Sequence, residues 1–562
     1  MFALIVTACS VVSDDAAGVR SAESFRAFEE QFFKAEFEYS PLSASSAGLH
    51  EYDTRIDDFS AAAYRARITA LRDFGQQLER LLDGELSSDD RIDAEALELR
   101  IAGELHDLGT LRSWQQDPMQ YAGVPGDAIG SLMNRDYAPA ETRLRSMVTR
   151  MQRLPSVYEA AKNNLDSPPA ILVEIAADMS RGTREFIDRS VSAWVTASEI
   201  DDTDLLQDYE AAAAELSSAA DAFADWLVQD LLPRSRLDFA LGEEAFLKKL
   251  YYQDMLSISL DELLAIGERQ LQKDYAALID IAREISPDRD PLEVINALKE
   301  DFPDPENLLS TIEDSINEAR DFVIDNAIAT VPSEVIPIIA ETPVYARDGS
   351  FASMDTPGAF ETLATEAYYY VTPTEPDWTP QHVKEHLSLF NPYTVAMINV
   401  HEAFPGHFLQ FLYAQEFPTL TRKLVESPMN AEGWAHYTEE MMTEQGFNAH
   451  DPRFRMSQLT EALIRDVRYV AGVRMHTKGM TVEEAADMFE TKSFLSPANA
   501  LAEAERGAWD PTYLYYTYGK LEIQKLAQDY QEKYGASLKD FHDAFVRVGP
   551  LPLPLVRRAL LN

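Results

Sequence analysis

The chain has 562 residues, of which 46% are hydrophobic, and its formal net charge is -46. This length and composition predict a globular protein with a large buried core. The charge argues against binding to nucleic acid or to an anionic membrane surface, because both would repel the chain. It predicts instead a solvated acidic surface on a protein that is exported or tolerates salt.

The only cysteine, Cys9, follows a short apolar run. A single cysteine excludes an internal disulfide and a cysteine-rich metal site. Residues 6–9, Val-Thr-Ala-Cys, have the form of a bacterial lipobox, in which the cysteine is acylated and becomes the mature N-terminus. This predicts export and a lipid anchor on Cys9, with residues 1–21 as a shortened lipoprotein signal and polar tether. The alternative is a hydrophobic N-terminus with an incidental cysteine.

Amphipathic helices are predicted from residue 22 to about residue 285, because apolar side chains recur there at helical spacing with charges between them. Ser259 and Glu262 form a capping-box pattern ahead of one such segment. The main helical segments are predicted at about 22–36, 61–82, 92–112, 139–163, 204–232 and 260–285.

The segment 334–373 has a different character. It is rich in β-branched and aromatic residues with turn signals, which predicts two or three short strands. Helical periodicity returns at about residue 380 and continues to the end. The predicted architecture is therefore mostly α-helical, with an N-terminal half at 22–330 and a C-terminal half at 331–562 that contains a small β insertion.

Residues 395–417 resemble one apolar helix, but Pro405 and Gly406 interrupt it between His401 and His407. Six residues of ideal helix turn through about 600°, which leaves the two histidines about 120° apart and unable to bind one ion. Looping out two residues would restore the four-residue spacing of the zinc motif His-Glu-x-x-His. The interruption therefore predicts a metal site; the alternative is a plain bend.

A hydrolytic zinc site needs a third protein ligand and an open fourth position. Glu432, which lies 25 residues after His407, is the preferred third ligand, and His436 is its rival. Asn430 is a predicted N-cap, which would place Glu432 in the first turn of a helix.

Glu402 follows the first histidine, so we predict that it acts as a general base towards metal-activated water without binding the metal. Glu439 and Glu440 are predicted to orient the imidazoles from behind. A donor for the developing oxyanion is also expected. The candidates near the C-terminus are Tyr513, Tyr515, Tyr516, Tyr518, Arg474 and His476.

These segments resemble the bacterial domain-of-unknown-function 885 family. The family pattern is similar to His-Glu-x-x-Pro-Gly-His followed by Glu-Gly-Trp-Ala-x-Tyr, which here correspond to residues 401–407 and 432–437. Further similar segments lie at 241–246, 260–268, 473–485 and 516–519. The family is itself similar to helical zinc peptidases of the thimet oligopeptidase and angiotensin-converting enzyme type.

The resemblance implies a large two-lobed helical fold with a deep channel beside the small β insertion. It implies zinc ligands His401, His407 and Glu432, with Glu402 as the base. It also implies that Tyr516 is the oxyanion donor and that the strand at 367–373 pairs with the substrate backbone. The chain departs from the family pattern at Phe408, where members often have histidine, and at His436, where they often have an aliphatic residue.

The leading hypothesis is an exported zinc metallopeptidase on the periplasmic side of the bacterial envelope, acting on short peptides. Zinc is the expected cofactor, and the membrane is contacted only through the lipid on Cys9. One alternative is a lipoprotein that binds peptides or another ligand without turnover. Another is a zinc hydrolase of a different amide or of an ester, which would use the same residues.

Overall fold

The computed structural model describes residues 12–343, 351–376 and 378–562, with side chains from residue 24 onward. Cys9 and the predicted lipobox lie outside the described residues, as does the stretch 344–350 of the predicted strand region. Residues 12–21 are helical, where a polar tether was expected. Among the described helices, none has both the length and the apolar character needed to cross a bilayer.

The described residues form 27 α-helices, and short π-helical turns extend α4, α10 and α12. The helices before the sheet are α1 Val12–Tyr39, α2 Pro41–Ser46, α3 Ala61–Leu82, α4 Ser88–His106, α5 Ser113–Gln116, α6 Met119–Ala122, α7 Val124–Met133, α8 Ala140–Met151, α9 Pro155–Asn164, α10 Ala170–Glu185, α11 Ser192–Ala197, α12 Thr203–Trp226, α13 Glu243–Asp254, α14 Leu260–Ile285, α15 Pro291–Leu298 and α16 Leu308–Asp325. Those after it are α17 Pro380–Leu387, α18 Pro392–Glu402, α19 His407–Ala414, α20 Leu420–Leu424, α21 Pro428–Glu444, α22 Pro452–Thr477, α23 Val482–Ser493, α24 Pro497–Trp509, α25 Tyr515–Tyr534, α26 Leu538–Val548 and α27 Leu553–Leu561.

The mostly helical class with a small β insertion is confirmed, and so are several local details. The Ser259 side chain accepts a hydrogen bond from the backbone N–H of Glu262, and α14 begins at the next residue. The predicted helix at 139–163 is instead two helices, α8 and α9. The second begins at Pro155, because proline has no N–H to donate into a preceding turn but is well suited to a first helical position.

The sheet has three short strands: β1 (Ile338–Glu341), β2 (Ala352–Asp355) and β3 (Tyr368–Val371). Their order is β1-β3-β2, with β1 parallel and β2 antiparallel to β3. The expectation that the strand at 367–373 pairs with substrate is wrong, because β3 is central and both of its backbone edges are already paired. The edge strand next to the site described below is β2.

The largest hydrophobic core contains side chains from both predicted halves of the chain, so it crosses the predicted boundary at residue 330. Examples are Phe32, Leu97, Phe408, Trp434 and Phe545. A second core lies mainly within residues 121–231, and a third joins residues 271–298 to residues 456–508. Helix α18, which carries the first half of the His-Glu motif, packs against α16 from the N-terminal half and against α21 and α22 from the C-terminal half.

Candidate metal centre

The helix is interrupted completely between the two histidines. Helix α18 ends at Glu402 and α19 begins at His407, so the expected two-residue bulge within one helix is wrong. A Cβ atom on Gly406 would lie 1.7 Å from the carbonyl oxygen of His401, so no other residue fits there without moving the backbone. The Trp434 indole N–H donates to the Pro405 carbonyl over 2.8 Å, which fixes the turn against α21.

The break brings the imidazoles of His401 and His407 together, with ring centroids 4.9 Å apart and planes at 89°. One carboxylate oxygen of Glu432 lies 3.4 Å from Nε2 of His401 and 3.6 Å from Nε2 of His407. One ligand atom from each of the three residues lies within 4.8 Å of the others. A tetrahedral zinc site with bonds of about 2.1 Å has edges of about 3.4 Å. Two imidazoles and one carboxylate at these separations fit zinc with one position open.

Hydrogen bonding shifts the pKa of two of these groups. Burial works against the charged forms, but the carboxylates of Glu432 and Glu439 raise the pKa of His401 to about 10. The two imidazoles hold the pKa of Glu432 well below its usual range against the same penalty. A metal ion at Nε2 would replace a proton on His401, so metal binding is expected to release a proton.

A carboxylate behind His401 sets the orientation of its ring. The Nδ1–H of His401 donates to one oxygen of Glu439 over 2.7 Å, which leaves Nε2 facing the other ligands. Arg465 lies 3.4 Å from the same oxygen. The Nδ1–H of His436 donates to the other oxygen of Glu439 over 3.2 Å. His436 is therefore behind the ligands, outside the three-residue group. The neighbouring Glu440 does not face the imidazoles and instead lies 3.1 Å from Lys520.

Helix α21 begins earlier than predicted. Ser427 is the N-cap, and its hydroxyl accepts a hydrogen bond from the N–H of Asn430 over 3.2 Å. Asn430 is inside the helix, so Glu432 lies in the second turn. The helix then passes very close to α25: a Cβ atom on Gly433 would lie 2.6 Å from the Cα of Gly519. This glycine-to-glycine crossing places the first turn of α25 beside the histidines.

Glu402, His407 and Glu432 line one cavity of about 490 Å³. Met354 from β2 and Thr356 just after it form another part of the wall. Glu402 is half-buried and is outside the ligand group, as predicted for a base. Tyr369, on the central strand β3, lies near the Glu402 carboxylate. Burial and then the charge of Glu402 raise the pKa of this tyrosine.

Among the predicted oxyanion donors, only Tyr516 is in ring contact with a histidine of the group: its centroid lies 6.5 Å from that of His401. Arg465 and Arg468 lie over the same tyrosine ring, at 5.5 and 5.2 Å. The Tyr515 hydroxyl donates to Asp510 over 2.9 Å.

The structure does not bring the other candidates to the site. The buried His476 donates from Nε2 to the carbonyl of Gly507 over 2.7 Å and packs between Phe239 and Phe246. Arg474 forms an ion pair with Glu268 at 2.6 Å.

Sequence reasoning did not single out Arg465, Tyr369 or Glu426, although all three lie near the cluster. Arg465 lies within a helix and Tyr369 within a strand, and at such positions arginine and tyrosine are just as common in structural roles. Glu426 precedes the N-cap Ser427 and lines the same cavity as His407. Its only sequence signal is a charged residue directly before a capping serine, which is too common to be specific.

Two solved structures are similar over nearly the whole chain. One is that of "a putative lipoprotein of unknown function" from Shewanella oneidensis, with 24% identity, a TM-score of 0.81 and coverage of 96% of this chain and 100% of that one. The other is "the putative lipoprotein" from Colwellia psychrerythraea, with 18% identity, a TM-score of 0.81 and coverage of 96% and 98%. At these identities the similarity shows the fold alone.

No curated protein matches the chain significantly. A family model does match, over residues 41–560, and its description is "Bacterial protein of unknown function (DUF885)". Since this match includes both the helical N-terminal region and the His-Glu cluster, the chain belongs to the DUF885 family of bacterial proteins.

Proposed function

We propose that the protein is a zinc-dependent metallopeptidase that hydrolyses short peptides, within a two-lobed helical fold of the metallopeptidase type. The observation that carries the proposal is the convergence of His401, His407 and Glu432, with one oxygen of Glu432 at 3.4 and 3.6 Å from the two Nε2 atoms; His407, Glu432 and Glu402 line one cavity, and Glu402 is outside the ligand group. A cavity of about 490 Å³ has the size of a small-ligand site and suits a short extended peptide, not a folded protein.

Each residue has a distinct task in the proposed reaction. His401, His407 and Glu432 would hold the zinc ion, which when bound supplies Lewis acidity towards the scissile carbonyl and the attacking water. Glu402 accepts a proton from that water as its oxygen bonds to the carbonyl carbon. The C–N bond then breaks, and Glu402 passes the proton to the leaving amine. Tyr516 is the proposed donor to the oxyanion, and Glu439 keeps His401 oriented.

The test combines metal analysis with peptide cleavage. The wild type, Glu402→Gln and His407→Ala are purified and their zinc content is measured, and each is incubated with a mixed peptide library that is read by mass spectrometry. His450→Ala is the matched control, since His450 is exposed and outside the cluster. We expect about one zinc per chain in the wild type, Glu402→Gln and the control, and cleavage in the wild type and the control only.

Other outcomes would change the assignment. Zinc without cleavage of any peptide would favour a peptide-binding protein or a hydrolase of another amide or an ester. Absence of zinc after reconstitution would overturn the metal site. If Glu402→Gln kept full activity, the proposed general base would be wrong.

We also propose that the protein is exported and anchored to the bacterial envelope by a lipid on Cys9. The support is the Val-Thr-Ala-Cys sequence at residues 6–9, together with the lipoprotein names of the two similar structures. Intact-mass measurement of the membrane fraction should find acyl chains on the wild type. The Cys9→Ser variant should lack this added mass and leave the membrane fraction.

A further inference from the structure

A second glutamate in the cavity has no role in the chemistry described so far. Glu426 lines the 490 Å³ cavity together with His407 and Glu432. It also lines a neighbouring cavity of about 310 Å³, whose wall includes Arg100, Lys249 and Tyr252. Glu426 therefore lies between the two cavities and is within reach of a peptide bound at the metal centre.

The carboxylate of Glu426 has no partner in the part of the chain that the structure describes. Among the described residues, none donates a hydrogen bond to it, and no lysine or arginine lies within ion-pair distance of it. Its side chain is exposed to the cavity, yet desolvation raises its pKa, followed by smaller effects of His407, which lowers it, and Glu432, which raises it. A carboxylate that lines a cavity and has no partner among the described residues is a favourable site for a cation.

In the larger cavity, Glu426 is the carboxylate best placed to bind a cationic group of the substrate. Among the described residues, its charged lining, apart from His407, consists of Glu402, Glu426, Glu432 and Lys423. In the proposed reaction Glu432 is a metal ligand and Glu402 is the base. Glu426 is thus the remaining carboxylate available to the substrate.

We infer that Glu426 is a specificity-determining residue that binds a positively charged group of the peptide, namely its free amino terminus. The inference rests on the proposed function, because it assigns a substrate class to the same cavity. Ammonium-to-carboxylate pairing there would favour peptides cleaved near their amino terminus. The same chemistry has a second source, a lysine or arginine side chain next to the scissile bond, and the experiment separates the two.

The test measures binding without turnover, in the Glu402→Gln background and with zinc present. The probes are tetra-alanine, its N-acetyl form and its C-terminal amide, and titration calorimetry gives the dissociation constants. We expect N-acetylation to weaken binding about 10- to 100-fold, the range for a hydrogen bond to a charged group, and amidation to have little effect. Adding Glu426→Gln should remove most of the difference between the free and the acetylated peptide, and Glu426→Asp should restore part of it.

A control variant and a control peptide pair distinguish the possible causes of each result. Glu416→Gln, at an exposed position on the surface, should keep the full difference between the two peptides. A second peptide pair, N-acetylated and with lysine or norleucine at one position, detects a side-chain cation. A lysine preference that depends on Glu426, without an amino-terminal preference, would overturn the amino-terminus assignment. Equal binding of free and acetylated tetra-alanine with Glu426 intact would overturn it as well.

Failure of this inference can be told apart from failure of the proposed function. If no peptide is cleaved by the wild type but the acetylation effect depends on Glu426, the cation site stands and the peptidase assignment falls. If peptides are cleaved in a Glu402-dependent manner but acetylated and free peptides behave alike, the peptidase assignment stands and the cation site falls.

Discussion

Two clusters of charged side chains lie on different faces of helix α21, and they differ in how their charges are balanced. The metal cluster consists of His401, His407 and Glu432 and opens into a cavity. The lysine cluster consists of Lys520, Glu440, Asp274 and Asp466, whose side chains are at most 4% exposed. Lys520 lies 3.1 Å from Glu440 and 3.6 Å from Asp274.

The difference teaches how to separate a functional charge cluster from a structural one. In the lysine cluster, burial and then the nearby Asp274 raise the pKa of Asp466 well above its usual range. Asp466 therefore keeps its proton to a higher pH than an ordinary aspartate, and Lys520 lies beside the two remaining carboxylates in a buried space. Among the described residues, no lysine or arginine contacts the ligand atoms of the metal cluster, which faces a cavity and is the proposed site of an external cation. Consecutive residues of α21, Glu439 and Glu440, belong to the two different clusters.

The largest effect is expected from Lys520→Met, which removes the single cation of the lysine cluster. Two buried carboxylates would lose their partner, so we expect the free energy of unfolding to fall by about 3–5 kcal/mol in urea denaturation. Lys273→Met is the matched control: Lys273 lies 3.6 Å from the same Glu440 but is 60% exposed. The Lys273→Met substitution should lower the free energy of unfolding by less than about 1 kcal/mol. Equal losses in both variants would show that the cluster is not sealed.

A pair of neighbouring substitutions tests which cluster serves the metal. Glu439→Gln should weaken zinc binding about 10- to 100-fold, because the N–H of His401 would donate to a neutral amide oxygen in place of a carboxylate. Glu440→Gln should leave zinc affinity unchanged. Competitive zinc titration against a chelator measures both. A similar loss in both variants would contradict the division of α21 into two faces.

The lysine cluster also predicts a pH dependence. Burial alone would raise the pKa of Glu440, but Lys520 and then Lys273 lower it to about 2, below the ordinary value of 4.5. Since the folded pKa is the lower one, Glu440 stabilises the fold above pH 4.5, and this contribution is lost as the pH falls towards 2. Between pH 5 and pH 3 the wild type should lose about 2 kcal/mol that Glu440→Gln does not lose. Parallel urea-stability curves for the two proteins would refute this.

The smallest effect is expected from Asp466→Asn at pH 4, within about 1 kcal/mol of the wild type, because the carboxyl is already neutral in the folded protein. Its pKa is raised on folding, so its stabilising effect is lost as the pH increases. The variant should therefore gain stability relative to the wild type between pH 4 and pH 8. Thermal unfolding across this range measures the difference, and a steady loss in the variant would show that Asp466 is ionised.

Several features of the fold were predictable because they depend on neighbouring residues only. The Ser259 cap, the long helix α14 and the three strands follow from capping, periodicity and β-branched composition. Capping was predicted wrongly at α21, where Ser427 is the N-cap although Asn430 was expected to be. Strand order was not predictable, since the pairing of β3 with β1 and β2 depends on contacts between distant segments.

The same division applies to the candidate site. The sequence by itself determined the break at Pro405 and Gly406 and grouped His401, Glu402 and His407, because the spacing of two histidines around such a pair is a local constraint. It favoured Glu432 over His436 as the third ligand without deciding between them, and the tertiary structure places Glu432 beside both imidazoles. Only the tertiary structure decided that Glu439 and not Glu440 supports His401, that Tyr516 and not His476 lies beside it, and that Glu426 shares the cavity. Adjacent residues on a helix point in different directions, and which direction meets the site depends on how α21, α22 and α25 pack together.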